Sequence, residues 1–271
     1  MTDAARFQYH DLSVPQAYDQ FFEPRFALWA ELLVKAADVR VGDAVVDVAT
    51  GPGTVARVAA ARTGSGGRVV GADISLPMLE IARSKPAAPG SAPITYIQSP
   101  AAPLAVESGS FDRVLCQQGF QFFPDRVAAA GEMRRALKPR GVAAIAVLCE
   151  IERNPFIKVF RDVLKAVVSA ETAELLNVPF SLPRGAALAE AMQAAGFDDV
   201  RVSTEVQTFT LELEEAVAAF AAIPVSVHVK QLPADHQQEF REALRREFEH
   251  MLRNGLVVAE STSNIAVGMA L

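Results

Sequence analysis

The chain is poor in the residues that make cross-links, metal sites and membrane spans. Its 271 residues include 2 cysteines, 4 histidines and 1 tryptophan. Cys116 and Cys149 cannot build a disulfide framework or a cysteine-based zinc site, so a reducing compartment is expected. His10, His228, His236 and His250 show no metal-ligand spacing, and no metal is expected. No apolar run reaches the roughly 18 to 20 residues that span a bilayer. The first twenty residues have neither the basic start nor the apolar segment of a secretory signal. Positive charge is short as well: 26 Lys+Arg face 32 Asp+Glu, for a net charge of −6. An acidic chain is a poor coat for nucleic acid or anionic lipid. Apolar residues are plentiful at 51%, enough for a sizeable core. The expectation is a cytoplasmic enzyme of one domain that acts on a small molecule and needs no nucleic acid or membrane.

Residues 1–43 are expected to form a helical cap, with Phe26, Trp29, Leu32, Leu33 and Ala36 spaced as one apolar stripe. From Ala44 to about residue 150, short apolar runs alternate with helical segments. Ala44–Val48, Arg68–Asp73, Ile94–Gln98, Phe111–Gln117 and Gly141–Cys149 read as strands apolar on both faces, the mark of a covered parallel sheet. Residues 151–271 change pattern. Helices are expected near Phe156–Val168 and Arg184–Ala195, a half-buried strand at Val200–Thr210, a helical stretch from Glu214 to Arg253 and a last strand at Ala259–Leu271.

Chemistry concentrates in Val45-Val46-Asp47-Val48-Ala49-Thr50-Gly51-Pro52-Gly53-Thr54-Val55-Ala56, where a strand enters a glycine turn and then a helix. Glycine there lets a ligand lie against backbone at a helix N-terminus. The G-x-G-x-x-A spacing, with Asp73 ending the next strand, also fits a dinucleotide fingerprint. Two features oppose an NAD(P)-dependent oxidoreductase. Asp47 is a poor neighbour for a pyrophosphate and suits a cationic group, and Pro52 removes a backbone N–H from the turn. Asp73 could accept ribose hydroxyls in either system.

Asp47 through Ala56 resembles motif I of class I S-adenosylmethionine-dependent methyltransferases, D-x-[GA]-x-G-x-G. Gly71-Ala72-Asp73-Ile74-Ser75-Leu76-Pro77-Met78-Leu79 is similar to that family's second motif. Ser110-Phe111-Asp112-Arg113-Val114 and Leu137-Lys138-Pro139-Arg140-Gly141 are similar to its motifs before strands four and five. The flanks around Tyr18–Phe22 and Gln118–Asp125 resemble the ubiquinone/menaquinone-type small-molecule branch.

The resemblance implies a Rossmann-like α/β fold with a seven-stranded, mostly parallel sheet and an antiparallel last strand. A helical insertion at about 213–255 and the N-terminal helices would cap it. The cofactor implied is S-adenosyl-L-methionine, held by Tyr18, Asp47, Ala49, Thr50, Gly51, Gly53, Asp73, Ile74, Met78, Ser99, Pro100, Ala101 and Gln117. Asp47 would stand near the methionine ammonium, Asp73 on the ribose hydroxyls, and Ile74 and Met78 against the adenine. The family's adenine-binding acid after strand three is absent; Ser99-Pro100-Ala101 stands there, so Ser99 or backbone near Ala101 would substitute. Arg140, in place of the family's glycine, is expected in a surface turn.

Gln118, Phe120, Phe122 and His228 are the substrate candidates, His228 also as a general base against the plainer reading of a solvent-facing side chain. Asn154-Pro155 reads as a helix start. The reaction expected is methyl transfer to a small hydrophobic or aromatic acceptor at O, C or N, the other readings being the oxidoreductase or a non-catalytic cofactor-binding module.

Overall fold

The computed structural model describes residues 13–271, so His10 and the start of the 1–43 segment lie outside the described residues, as does the side chain of Phe26. Five apolar segments form the parallel strands β1 (Ala44–Val48), β2 (Arg68–Asp73), β3 (Ile94–Gln98), β4 (Phe111–Gln117) and β5 (Leu137–Leu148). All five residues of β1 are buried, which explains why its sequence does not alternate. With β6 (Asp198–Leu211), β7 (Leu252–Arg253) and β8 (Leu256–Met269), the strand order is β3-β2-β1-β4-β5-β8-β6. β8 runs antiparallel to both neighbours, pairing Val267 with Ala144 and Ile265 with Ser203.

Helices close both faces. α1 (Ser13–Phe21) and α2 (Glu23–Ala36) lead in, α3 (Thr54–Thr63) follows β1, and α4 (Leu76–Ser84) follows β2. α5 (Arg126–Ala136) lies between β4 and β5. On one face Leu33 of α2 and Ala56 of α3 pack with Val45 and Leu115. On the other, Met133 of α5 packs with Val46 and Val114. Adjacent Val45 and Val46 thus serve opposite cores, as the strand pleat requires.

Beyond β5 come α6 (Pro155–Val167), α7 (Ala170–Glu174) and α8 (Gly185–Ala194), and between β6 and β8 come α9 (Leu213–Ala218), α10 (Ser226–Lys230) and α11 (Ala234–Glu249). A third core, above the carboxyl edge of the sheet, joins α1, α6, the 3-10 turn Ala219–Ala222 and α11 through Phe21, Phe156, Phe160, Phe220, Phe240 and Phe248, with Val217 of α9 and Val229 of α10.

Three expectations need correction. Among the described residues the sheet has eight strands, because two-residue β7 forms a hairpin with β8. The single helical stretch 214–253 is three helices, interrupted at Pro224 and Pro233, which lack the N–H a continuing helix needs. β6 is mostly exposed rather than half-buried, since it is the sheet edge; only its end, at Leu211, is fully buried under the cap.

Candidate functional site

Strand order reverses between β1 and β4, and open α/β sheets bind ligands beyond the carboxyl ends at such a point. A cavity of about 950 Å³ opens there. The parallel strands deliver their last or next residue to its wall: Ala49, Asp73, Gln98, Gln117 and Leu148.

The turn after β1 reverses direction through left-handed residues, Ala49 at φ 58°, Gly51 at 52° and Gly53 at 80°. At Gly51, which lines the cavity, an added Cβ would meet only open space. Glycine therefore leaves room for a ligand against the backbone. Gly53 differs from expectation: it does not line the cavity, and a Cβ there would stand 2.5 Å from the Tyr96 hydroxyl. Packing against β3 already requires glycine at this position. The Thr50 N–H donates to Ala72 O at 3.0 Å and the Gly53 N–H to Thr50 O at 2.9 Å. The Gly51 N–H donates to Asp73 Oδ2 at 2.8 Å, and Arg57 Nη1 donates to Pro52 O at 2.7 Å. Every residue from Thr50 to Gly53 is held.

Two carboxyls sit at this turn. Asp73 accepts the Gly51 N–H on one oxygen and the Ser75 N–H, at 2.8 Å, on the other. Each oxygen retains capacity for a further donor. Burial raises its pKa, against those two bonds. Asp47 is 1% exposed and does not itself line the cavity. Its Oδ2 accepts the Thr50 hydroxyl at 2.5 Å, and among the described residues its Oδ1 meets no donor in good hydrogen-bond geometry, although the nearby Ala56 N–H favours the charged form. Burial first, with Asp73 nearby, pushes its pKa up to about 7, although the Thr50 bond opposes this. An incompletely paired buried carboxyl beside a cavity suits a ligand carrying positive charge. Tyr18, Thr50, Ile74 and Met78 line the same half. Burial, and then Asp73, raise the Tyr18 pKa.

Ser99, Pro100 and Ala101 also line the cavity. The Ser99 hydroxyl is engaged in its own loop, accepting the Ala105 N–H at 2.9 Å and donating to Pro100 O at 2.8 Å. Gln98, which sequence reasoning missed, stands beside it and donates through Nε2 to Ile74 O at 3.1 Å.

The other half of the cavity is aromatic, with Phe21, Phe22, Phe122, Phe156, Phe180 and Phe209 on its walls. Phe156 is the hub, stacked on Phe21 at 5.8 Å and Phe248 at 5.0 Å. Gln117, Gln118 and Gln121 join the two halves. Gln118, at φ 53°, donates through Nε2 to Ser263 Oγ at 2.9 Å, and Gln121 Nε2 donates to Gln118 Oε1 at 3.4 Å. Gln121 was also missed; its signal is an amide in the otherwise aromatic turn Gly119–Phe123.

Two substrate candidates are not brought here. Phe120 is fully buried and packs in the sheet core, because its short 3-10 turn directs Phe122, not Phe120, to the cavity. His228 is exposed and does not line the cavity; α10 buries Ser226 and Val229 instead. Asn154 precedes α6 as expected but caps none of its N–H groups. Its Nδ2 donates to Thr262 O at 3.3 Å and its Oδ1 accepts the Thr262 N–H at 3.0 Å, fastening α6 to β8. Arg140 takes φ 66° on the surface. Among the described residues no group of three His, Cys, Asp or Glu could hold a metal, and no helix is long and apolar enough to cross a membrane.

Fold and site define a class: an open α/β sheet with a glycine turn and a buried acid at its switch point, roofed by an aromatic cap. The methyltransferase domain family matches residues 46–145. The chain is 31% identical to nocamycin O-methyltransferase of Saccharothrix syringae over 67% of this chain and 67% of that protein. It is 32% identical to demethylmenaquinone methyltransferase of Thermus thermophilus over 69% and 92%. Among solved structures, phosphoethanolamine N-methyltransferase 2 of Haemonchus contortus, in complex with S-adenosyl-L-methionine, superposes with a TM-score of 0.61 at 18% identity, covering 99% of this chain and 60% of that one. An S-adenosylmethionine-dependent methyltransferase of Aquifex aeolicus gives 0.56 at 15%, covering 97% and 100%. The chain belongs to the class I S-adenosylmethionine-dependent methyltransferases, in their small-molecule branch. It is an enzyme of that kind and its cofactor is S-adenosyl-L-methionine.

Proposed function

We propose that the chain methylates a small aromatic or otherwise apolar acceptor, at oxygen, carbon or nitrogen. The observation that carries this is the aromatic half-cavity walled by Phe21, Phe122, Phe156 and Phe209 and continuous with the glycine turn. Relatives named for nocamycin and demethylmenaquinone support a small-molecule acceptor.

In this reading Asp73 takes the ribose hydroxyls on the capacity its oxygens retain, and Gly51 admits the cofactor to the backbone. Ile74 and Met78 flank the adenine, with Ser99, Pro100 and Ala101 along its edge and Gln98 in place of the absent acid. Tyr18, Ala49, Thr50 and Gln117 complete the donor half. Asp47 acts from beneath the turn, orienting Thr50 and balancing the cofactor's positive charge. The sulfonium supplies an already electrophilic methyl group. The chain's task is to hold the acceptor atom in line and at near-attack distance, and to keep water out. Gln118 and Phe122 lie where the acceptor must meet the donor.

The test is release of S-adenosylhomocysteine from S-adenosylmethionine with a hydroxylated naphthoquinone, a simple phenol and phosphoethanolamine. Turnover with the aromatic acceptors and none with the third is expected. Preference for phosphoethanolamine would overturn the reading.

A further inference from the structure

Arg57 lies outside the family motifs, does not line the cavity, and yet touches both halves of the site. It stands in the first turn of α3. One arm, Nη1, donates to Pro52 O at 2.7 Å, the carbonyl in the middle of the glycine turn. The other, Nη2, donates to Glu23 Oε1 at 2.6 Å, at the start of α2 directly after the cap-core residues Phe21 and Phe22. Thr54 Oγ1 donates to the same Glu23 oxygen at 3.4 Å. Lys85, just after α4, pairs with Asp19 of α1 and stands 3.8 Å from Glu23. Two acids of the cap thus meet two bases of the donor-side helices. Arg57 and Glu23 are largely shielded, at 15% and 21% side-chain exposure, so water screens their pairing only in part.

A planar guanidinium forms two directed bonds from one rigid group. If its Pro52 arm moves, its Glu23 arm moves with it. We propose that Arg57 is a positioning residue for methyl transfer, a strut that couples the donor turn to the cap, so that filling the donor site also sets the cap over the acceptor. The inference rests on S-adenosylmethionine occupying the glycine turn. Pro52 has no N–H, so its carbonyl is the one backbone hydrogen-bonding group through which this residue of the turn can be held. The sequence offers a built-in reporter: Trp29, the only tryptophan, is buried on α2 and lines the cavity.

The experiment is calorimetric titration of the full chain with S-adenosylhomocysteine, alongside Trp29 emission. It uses the wild type, Arg57→Met, Arg57→Lys, Glu23→Gln and the Arg57→Met/Glu23→Gln double variant. Arg57→Met should weaken binding about tenfold, the scale of a lost charged hydrogen bond. Glu23→Gln should weaken it about threefold, on the scale of one shielded ion pair. The double variant should be no worse than Arg57→Met alone, because one strut is cut twice. Arg57→Lys, which can hold one partner but not both, should fall between. The Trp29 response to saturating ligand should be present in the wild type and lost in Arg57→Met. Additive penalties would overturn the proposal. So would wild-type affinity in both single variants with only a lowered melting temperature, which is what a purely structural ion pair gives. Failure of the wild type to bind at all would strike the donor-site reading, and this inference with it.

Discussion

At the scale of single residues, Asp47 carries the clearest electrostatic consequence. Its carboxyl is pushed up to about 7 in the folded chain from an ordinary 3.8. As pH rises from about 4 toward 7 the unfolded chain gives up this proton first, so stability that Asp47 contributes when protonated is progressively lost. Asp47→Asn keeps an acceptor for the Thr50 hydroxyl and removes the titration. The melting temperature of the ligand-free wild type should therefore fall relative to Asp47→Asn from about pH 4 to about pH 7 and level off above that. Cofactor affinity should run the other way. A cationic ligand favours the carboxylate, so binding should tighten through that window and level off above it; equal slopes for wild type and Asp47→Asn would contradict the assignment. Arg140 gives a second expectation. It holds φ 66° on the surface while its N–H donates to Ala270 O at 2.6 Å. Arg140→Gly keeps that bond and relieves the left-handed strain, so urea unfolding should show a gain of about 0.5–1 kcal/mol.

Elements explain which parts of the site could be read beforehand. The turn Ala49–Gly53 and the acid Asp73 were legible because strand, turn and helix follow one another within a few residues. The motif Ser110–Val114 was legible too, yet its acid is structural. Asp112 accepts the Ala44 N–H at 2.9 Å and the Lys138 ammonium at 2.7 Å, joining the starts of β1 and β5. Phe120 was misread and the packing demand on Gly53 was missed because both depend on neighbours distant in sequence, the α5 face and Tyr96. Asn154 is of the same kind: its partners on β8 lie over a hundred residues away. Asn154→Ala would leave the Thr262 N–H buried and unpaired, at a cost of about 2–3 kcal/mol. Thermal unfolding should drop by roughly 5–10 °C, while S-adenosylhomocysteine affinity stays near wild type because β1 and β2 are untouched. A lost donor site with unchanged melting would contradict that division.

At the scale of the whole molecule, three cores divide the work. Two flank the sheet and fix the donor turn; the third, centred on Phe156, roofs the carboxyl edge. The cap core draws on residues from Phe21 to Ala259, so its aromatic lining could not be assembled from local pattern. Periodicity showed helices there and left their meeting point blank. The donor half is built mostly from residues that end or follow β1 to β4, where strand and turn patterns mark them, whereas the acceptor half takes its aromatic residues from five separated stretches, which is why the cofactor was legible and the acceptor was not. The central claim is that the cavity's donor half, with Asp73 at its centre, holds S-adenosylmethionine. The most direct measurement is calorimetric titration of S-adenosylhomocysteine and NADH into the wild type and Asp73→Ala. Micromolar binding of S-adenosylhomocysteine, weakened at least about a hundredfold in Asp73→Ala, is the scale expected for losing a charged, bidentate contact, with no binding of NADH. Unchanged affinity in Asp73→Ala, or NADH binding in place of S-adenosylhomocysteine, would contradict it.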